Sequence, residues 1–333
     1  MGGGVNGIDV DNYLTIVALE DGLTAALSGN TVEYCVDGDG NWKSLSSNTN
    51  SESINKGQTL SFRANLVPTL TTGVGTFKIS KSCDLTGNCN SLLFGDNAKR
   101  NNSLNDKSYA FKYLFNNCST IKNVSSSFLP STTLASSCYE YMFKNCTSLT
   151  TAPELPAKTL ASSCYDDMFY GCTSLTTAPE LPATTLATYC YYGMFYRCSS
   201  LTTTPQLPAR TLTTNCYQAM FHGCSSLTTA PELPSTTLTS NCYSGMFYNC
   251  KALTTAPQLP ATTLASSCYS NMFYGCSKLK YIKALFTTTP STSYTNYWVL
   301  GVASSGTFVK NKNATWNVTG TYGIPSGWTV QTA

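Results

Sequence analysis

The chain has 333 residues, 42% of them hydrophobic and only 11% charged. It can bury a core, but its surface must rely on Ser, Thr and Asn instead of the usual quarter of charged residues. A net charge of +3, with Lys and Arg scattered along the chain, gives no basic stripe and argues against a nucleic-acid partner. No apolar run approaches the ~18 residues of a membrane span, so membrane insertion is not expected.

Residues 1–12 are rich in Gly and Asn and read as a flexible lead or attachment peptide. They lack the basic and apolar regions of a secretory signal, and Asn6 stands where a myristoylation site wants Ser or Thr. From residue 13 to residue 96 the signals are β. Tyr13–Leu19 and Thr31–Val36 read as strands, the second with Val32, Tyr34 and Val36 on one face. Asp37-Gly-Asp-Gly40 turns the chain into Asn41–Leu45 as a hairpin, and further strands are expected at Thr59–Leu66, Thr76–Ser80 and Ser91–Phe94. About six short strands at this spacing suggest a small sandwich, immunoglobulin-like in outline. Residues 97–108 are polar and read as a linker.

Over residues 109–285 one phrase recurs. Its best copy is Cys164-Tyr-Asp-Asp-Met-Phe-Tyr-Gly-Cys172, followed by Thr173-Ser-Leu-Thr-Thr-Ala-Pro-Glu-Leu-Pro182. Cysteine returns every 26 residues from Cys138 to Cys268, and a second cysteine from Cys146 to Cys276. A fixed period of this size signals stacked units that cannot bury their apolar face alone. Tyr109–Cys118 is an irregular first copy, which brings the count to about seven. Cys, Met or Phe, and Cys at i, i+4 or i+5, and i+8 suggest one face of a short helix. Ser-Leu-Thr-Thr-Ala-Pro suggests a short strand ended by proline. The expected fold is therefore an α/β solenoid of about seven 26-residue units, with a β-sandwich-like domain before it and a β cap over residues 286–333. Trp298, Trp316 and Trp328 fall in that cap and either cover the open end of the stack or bind a ligand.

Twelve of the 16 cysteines belong to the repeat. Two helical turns, about 12 Å, would separate the pair within a copy, too far for a disulfide. Each is expected to stack on its counterpart in the next copy as a buried apolar thiol, with bonds between copies or a zinc site as lesser readings. Whether Cys83 and Cys89 pair is left open.

No catalytic pattern is found. His222 is the single histidine, and a nucleophile needs a base and a carboxylate in support. No phosphate loop, metal motif or cofactor motif occurs. The positions that vary between copies should face solvent. One such column is Lys144, Tyr170, Tyr196, His222, Tyr248 and Tyr274; a second is Glu140, Asp166, Tyr192, Gln218, Ser244 and Ser270; a third is Glu154, Glu180, Gln206, Glu232 and Gln258. Tyr170, Tyr196, His222, Tyr248 and Tyr274 are the candidate ligand-binding residues. Regularly spaced rings can stack on sugars or a protein; alternatively they cover the flank of the stack.

Met-Phe-x-Gly-Cys-Ser/Thr-Ser-Leu-Thr resembles the BspA-type leucine-rich repeat, whose phrase is Ala-Phe-x-x-Cys-x-x-Leu-x-x-Ile. Here Met replaces Ala, and the 26-residue period is longer than that family's. The resemblance implies binding without chemistry, as in surface proteins and adhesins of anaerobic bacteria and some protists. The layout, with its Gly-Ile-Pro-Ser-Gly-Trp-Thr-Val ending, is also similar to proteins of gut Bacteroidales and their phages. What this implies is a virion surface protein, such as a head or tail fibre or decoration protein; the alternative is a bacterial cell-surface adhesin. Expected partners are other virion or surface proteins through the N-terminal domain, a glycan or host-surface receptor on the repeats, and further copies of the chain in a homo-oligomer.

Overall fold

The computed structural model describes residues 7–333, so the first half of the expected lead, residues 1–6, lies outside the described residues. A short 3-10 turn, Val10–Asn12, opens the described chain. It is tied down by Asn12, whose amide donates to the Asp96 carbonyl and accepts from the Lys99 N–H. Seven strands follow: β1 (Leu14–Ala18), β2 (Ala25–Leu27), β3 (Val32–Val36), β4 (Lys43–Leu45), β5 (Thr59–Arg63), β6 (Phe77–Ile79) and β7 (Cys83–Gly87). β2 is short and apolar throughout, with no alternation to mark it in sequence, whereas β7 does alternate buried Cys83, Leu85 and Gly87 with half-buried Asp84 and Thr86 and was not expected. Ser91–Phe94, expected as a strand, is instead one turn of helix, α1. Its Ser91 hydroxyl accepts from the Leu14 N–H and donates to the Phe62 carbonyl, so a buried side chain, not a strand ladder, satisfies the neighbouring backbone.

The larger sheet runs β4-β3-β5-β1-β7-β8, with β8 (Ile121–Val124) already inside the repeat region. β7 and β8 pair in parallel, and β8 passes the pairing on through the Asn123–Thr151 bridge. The same wall continues through the bridges Thr177–Thr203 and Thr255–Tyr281 to β9 (Tyr281–Ala284). There a parallel sheet of β9, β10 (Thr307–Lys310) and β11 (Thr329–Thr332) ends it. One strand wall thus serves both the N-terminal β region and the stack. In residues 97–108, Leu104 is fully buried and its N–H donates to the Thr133 carbonyl.

The stretch from each first cysteine to the second is not helical, which corrects the helical half of the expected α/β solenoid. An α-helix would close every amide onto the carbonyl four residues back. Here only alternate amides stay within the coil, and they reach three residues back. Met168 N–H donates to the Tyr165 carbonyl (3.3 Å) and Cys172 N–H to that of Phe169 (3.1 Å). The amides between them cross to the next coil: Tyr165 to Cys190 (3.1 Å), Asp167 to Tyr192 (2.8 Å), Phe169 to Met194 (2.9 Å) and Gly171 to Tyr196 (2.7 Å). The chain is a run of linked turns, and every fourth residue adopts the left-handed conformation. Ser163 (φ 52°), Asp167 (φ 49°) and Gly171 (φ 72°) do so in one coil, as Asn241, Gly245 and Asn249 do in another. Each is the third residue of a turn, the position where positive φ favours Gly and Asn.

The positions that never vary form the core. Between Cys138 and Cys276 the Cys, Met and Phe side chains of the phrase are fully buried, and its Tyr side chains are 1% exposed. Rings stack on their counterparts in the next coil, Phe143 on Phe169 at 5.7 Å and Tyr139 on Tyr165 at 5.8 Å. The second cysteine of each coil donates its thiol hydrogen to a phenylalanine carbonyl of the coil before it, as Cys172 does to Phe143 at 3.1 Å. All 16 cysteines, Cys83 and Cys89 included, are free and buried. At the N-terminal end Phe77 stacks on Phe115 at 5.5 Å. At the C-terminal end Trp298 packs on Tyr269 and Phe273, each at 6.2 Å. After one turn of helix, α2 (Thr292–Thr295), residues 294–300 imitate a coil without its sequence, since Phe273 N–H donates to the Trp298 carbonyl (2.8 Å) just as Phe169 does to Met194. Trp298, Trp316 and Trp328 are buried, and their indole N–H groups donate to the Gly323, Phe286 and Ala303 carbonyls. They close the stack and offer no open ring to a ligand.

Ala219 occupies a left-handed position that its neighbours fill with Gly193 and Gly245. A left-handed residue with a Cβ costs about 1–2 kcal/mol, so Ala219→Gly is expected to stabilise the protein by about 0.5–1 kcal/mol once glycine's greater unfolded-state entropy is subtracted. Gly193→Ala should do the reverse, by about 2 kcal/mol or more, because its Cβ would lie 2.0 Å from Asp167 Oδ1. Denaturant unfolding of both variants measures this, and helix-like propensities, with Ala favoured over Gly at both sites, would contradict it.

Candidate functional site

Tyr170, Tyr196, His222, Tyr248 and Tyr274 each sit between two left-handed turn residues, so the backbone aims all five side chains the same way. The Tyr170 N–H donates to Asp167 of its own coil (3.1 Å), and its carbonyl accepts from Asn145 of the preceding one (2.6 Å). The structure brings the five together as one half-buried column of parallel rings. Centroid separations are 4.7 Å for Tyr170–Tyr196, 4.2 Å for Tyr196–His222, 4.3 Å for His222–Tyr248 and 4.4 Å for Tyr248–Tyr274. This is tighter than the 5.5–6.1 Å of the two buried ring columns. Rings this close leave no room for a third ring between them. Their faces are spent on one another, and what the column presents outward is ring edges and phenol groups.

Lys144, the residue that precedes Tyr170 in the column, places its Nζ 4.5 Å from the Tyr170 centroid and 4.6 Å from that of Tyr141. A cation on an aromatic face is attracted by the ring quadrupole, so Lys144 closes one end of the column. Arg197 lies 5.6 Å from Tyr196. The register puts Leu300 after Tyr274, since Gly275 N–H donates to the Leu300 carbonyl. Burial, with Arg197 adding to it, pushes the His222 imidazole down to about 4, so it is neutral in the stack at ordinary pH.

The second column begins with charge and ends without it. Glu140 pairs with Lys112 at 3.2 Å, and Asp166 follows with Oδ1 buried and unpartnered. Burial, reinforced by the carboxylates of Asp167 and Glu140, pushes Asp166 up to about 8. Burial likewise raises Asp167 to about 7, against the opposing pull of Lys144. Asp167 fits only because Gly193 below it has no side chain. Further along, Tyr192, Gln218 and Ser244 are uncharged, and a Cβ at Gly245 would find nothing within 4 Å. The third column, from Glu154 to Gln258, is exposed throughout. Beside it lies a cleft of about 300 Å³ walled by Leu233, Pro234 and Pro260, with Arg210, Glu232 and Gln258 at its rim.

Little in this surface supports proton transfer or nucleophilic attack. Burial raises the thiols of the repeat far from the thiolate form, Cys198 and Cys172 among them. Among the described residues, no three His, Cys, Asp or Glu side chains converge as metal ligands, and no helix is long and apolar enough to cross a membrane. The ring column is legible in the sequence, whereas the Asp166–Asp167 cluster and the Lys144 sandwich are not plainly so. Gly193 opposite Asp167 was the available signal: a missing side chain in one copy makes room for a buried one in the copy before it.

A stack of short coils, joined by parallel bridges and rows of identical buried side chains, defines a repeat protein of the leucine-rich-repeat class with mostly extended and turn structure and few helices. The family description "BspA type Leucine rich repeat region" matches residues 94–228 and 193–297 in 6 copies, more than half of the chain. The chain belongs to that family. No curated protein and no solved structure matches it.

The two titrations give opposite pH slopes. Asp166 and Asp167 are raised in the fold, so the stability they contribute is full below the unfolded carboxyl range near ~4 and is lost as pH rises towards about 8. His222 is depressed, so its contribution is full above its unfolded value near ~6.5 and is lost as pH falls towards about 4. Asp166→Asn should therefore raise the melting temperature at pH ~8, by at least about 1 kcal/mol in stability, with little effect at pH ~4. His222→Tyr should flatten the acid side instead. Thermal melts across this range check both, and parallel profiles for wild type and variants would refute the assignment.

Proposed function

We propose that the protein is a non-enzymatic, surface-displayed adhesin in which the stack presents the column Tyr170, Tyr196, His222, Tyr248 and Tyr274 to a ligand. The observation that carries the reading is the column itself. The coil scaffold is invariant, yet it repeats one half-buried aromatic position at 4.2–4.7 Å over five coils, beside uncharged Tyr192, Gln218 and Ser244. Ring edges and phenols in a row suit a long neutral molecule bearing hydroxyl groups, a glycan above all. Membership of the BspA-type family favours binding over catalysis.

The N-terminal β region, residues 13–96, is proposed as the attachment module, with the stack of about seven coils directed outward and the C-terminal region closing it. The surface on which the chain is displayed is either a virion, as a fibre or decoration protein in a homo-oligomer, or a bacterial cell. The 16 free, buried cysteines favour the virion reading. Such a chain folds most safely under reducing conditions, before it meets an oxidising exterior, and virion components are made in that way. Protease shaving of intact cells and protein analysis of purified virions separate the two surfaces.

Replacing Tyr170, Tyr196 and Tyr248 together by Ala is expected to weaken binding to the best hit on a glycan array by at least about tenfold, a loss of ~1.4 kcal/mol or more. The variant must keep the wild-type melting cooperativity for the comparison to count. Undiminished binding by a folded variant would remove the column from the function.

A further inference from the structure

The cations of this chain are spread evenly, but its anions are not. None of the 17 acidic residues lies beyond Glu232, while Lys251, Lys278, Lys280, Lys283, Lys310 and Lys312 all do. The last 101 residues therefore carry +6 with no carboxylate side chain. The five ion pairs among the described residues follow the same division, since all of them join residues between Asp9 and Glu140. Only Lys310 is taken up internally: it is buried, and its Nζ donates to the Trp316 carbonyl and to Asn317 Oδ1, each at 2.8 Å.

The fold gathers the others at one end of the stack. Lys251 and Lys278 stand at adjoining positions on successive coils, because the stacking register sets Lys251 opposite Ser277. Lys280 follows two residues later, and its N–H donates to the Thr254 carbonyl (3.0 Å). Leu279 between them is buried, so Lys278 and Lys280 both project outward. Lys283 lies on β9, and Lys312 is exposed beyond β10. Two of the most exposed tyrosines belong to the same end, Tyr297 at 48% and Tyr322 at 38% exposure. Unlike the rings of the candidate column, neither has a stacked neighbour among the aromatic contacts of the structure.

We propose that this C-terminal end binds an anionic polysaccharide, a uronate or sulfated polymer. Uncompensated like charges repel one another, and an anionic polymer relieves that repulsion as it binds. The cations are all Lys and none is Arg, which gives point charges without the planar fork that grips phosphate in two places. That choice, together with open tyrosine faces able to lie on sugar rings, favours a polysaccharide over nucleic acid. A membrane would want an apolar wedge, and the exposed apolar side chain at this end is the single Val330. The lysines are not members of the ring column: Lys251 lies three residues beyond Tyr248 and Lys278 four beyond Tyr274, on the turns that follow the second cysteine of each coil.

The test compares the full chain with the triple variant Lys251→Gln, Lys278→Gln, Lys280→Gln, all three being exposed and outside the core. A matched control carries Lys56→Gln, Lys78→Gln and Lys81→Gln, exposed residues of the N-terminal region. The probes are dextran sulfate and polygalacturonate, with uncharged dextran, duplex DNA and anionic phospholipid vesicles beside them, at ~0.15 M salt. The wild type and the control should bind the two anionic polysaccharides and not dextran. The C-terminal triple variant should lose at least tenfold in affinity and show a shallower dependence on salt. The folded Tyr170, Tyr196, Tyr248 variant should bind them as the wild type does, which keeps this site distinct from the column. The proposal is overturned if the wild type binds neither polymer, if both triple variants lose affinity equally, or if DNA or vesicles are bound as tightly as the polysaccharides.

Discussion

Every second amide along the turn wall is donated to the neighbouring coil, and the rest of the architecture depends on that division. A helix satisfies its own backbone and can stand alone; this stretch cannot. Half of its N–H groups find acceptors only when another coil lies against it, and an unpaired buried amide costs on the order of 1–3 kcal/mol. One coil therefore has no stable existence, and the stack must be closed at both ends. The N-terminal region does this with the β7–β8 pairing and with Phe77 on Phe115. The C-terminal region does it with a disguised coil over residues 294–300 and with Trp298.

The same constraint sets the chemistry of the columns. To send alternate amides outward along the stack, the chain must turn left-handed every fourth residue, which favours Gly, Asn, Asp or Ser at most of those sites, with Tyr141, Tyr189, Arg197 and Ala219 as exceptions. Buried rings then fall into register at 5.5–6.1 Å, and thiols of one coil meet carbonyls of the coil before it. The cysteines are structural in that sense: small, apolar and able to give one weak hydrogen bond. What is free to vary lies largely between the left-handed turns, where the candidate column and Asp166 sit; Asp167 is itself a left-handed residue, and the C-terminal lysines lie beyond the turn stretch or on the strand wall.

The period, the core residues and the membership of each column were legible in the sequence, because a copy-to-copy comparison separates invariant Cys, Tyr, Met, Phe and Leu from the positions that vary. Secondary structure was less so. Cys164, Met168 and Cys172 have helical spacing, but a linked-turn ribbon with a four-residue period produces nearly the same spacing. What distinguishes the two is the recurrence of Gly, Asn or Asp at many of the fourth places, as at Asp167 and Gly171, residues that a helix disfavours. Residues 294–300 were missed as a coil because Tyr294 through Leu300 accept the cross-coil amides with none of the Cys-Tyr-Met-Phe phrase. The polarity of charge was hidden for a different reason: Lys and Arg are indeed scattered, and only the absence of carboxylates after Glu232 makes one end basic. Ring spacing in the candidate column is a tertiary property, and no pattern of residues states it.

The cross-coil amide is the feature to measure. Scalar coupling through hydrogen bonds, recorded by NMR on deuterated protein, reports which carbonyl accepts a given N–H. The Phe169 amide is predicted to couple to the Met194 carbonyl, with Tyr165 coupling to Cys190 in the same way. Coupling of the Phe169 amide to the Tyr165 carbonyl, four residues back along its own coil, would show a helix and contradict the account.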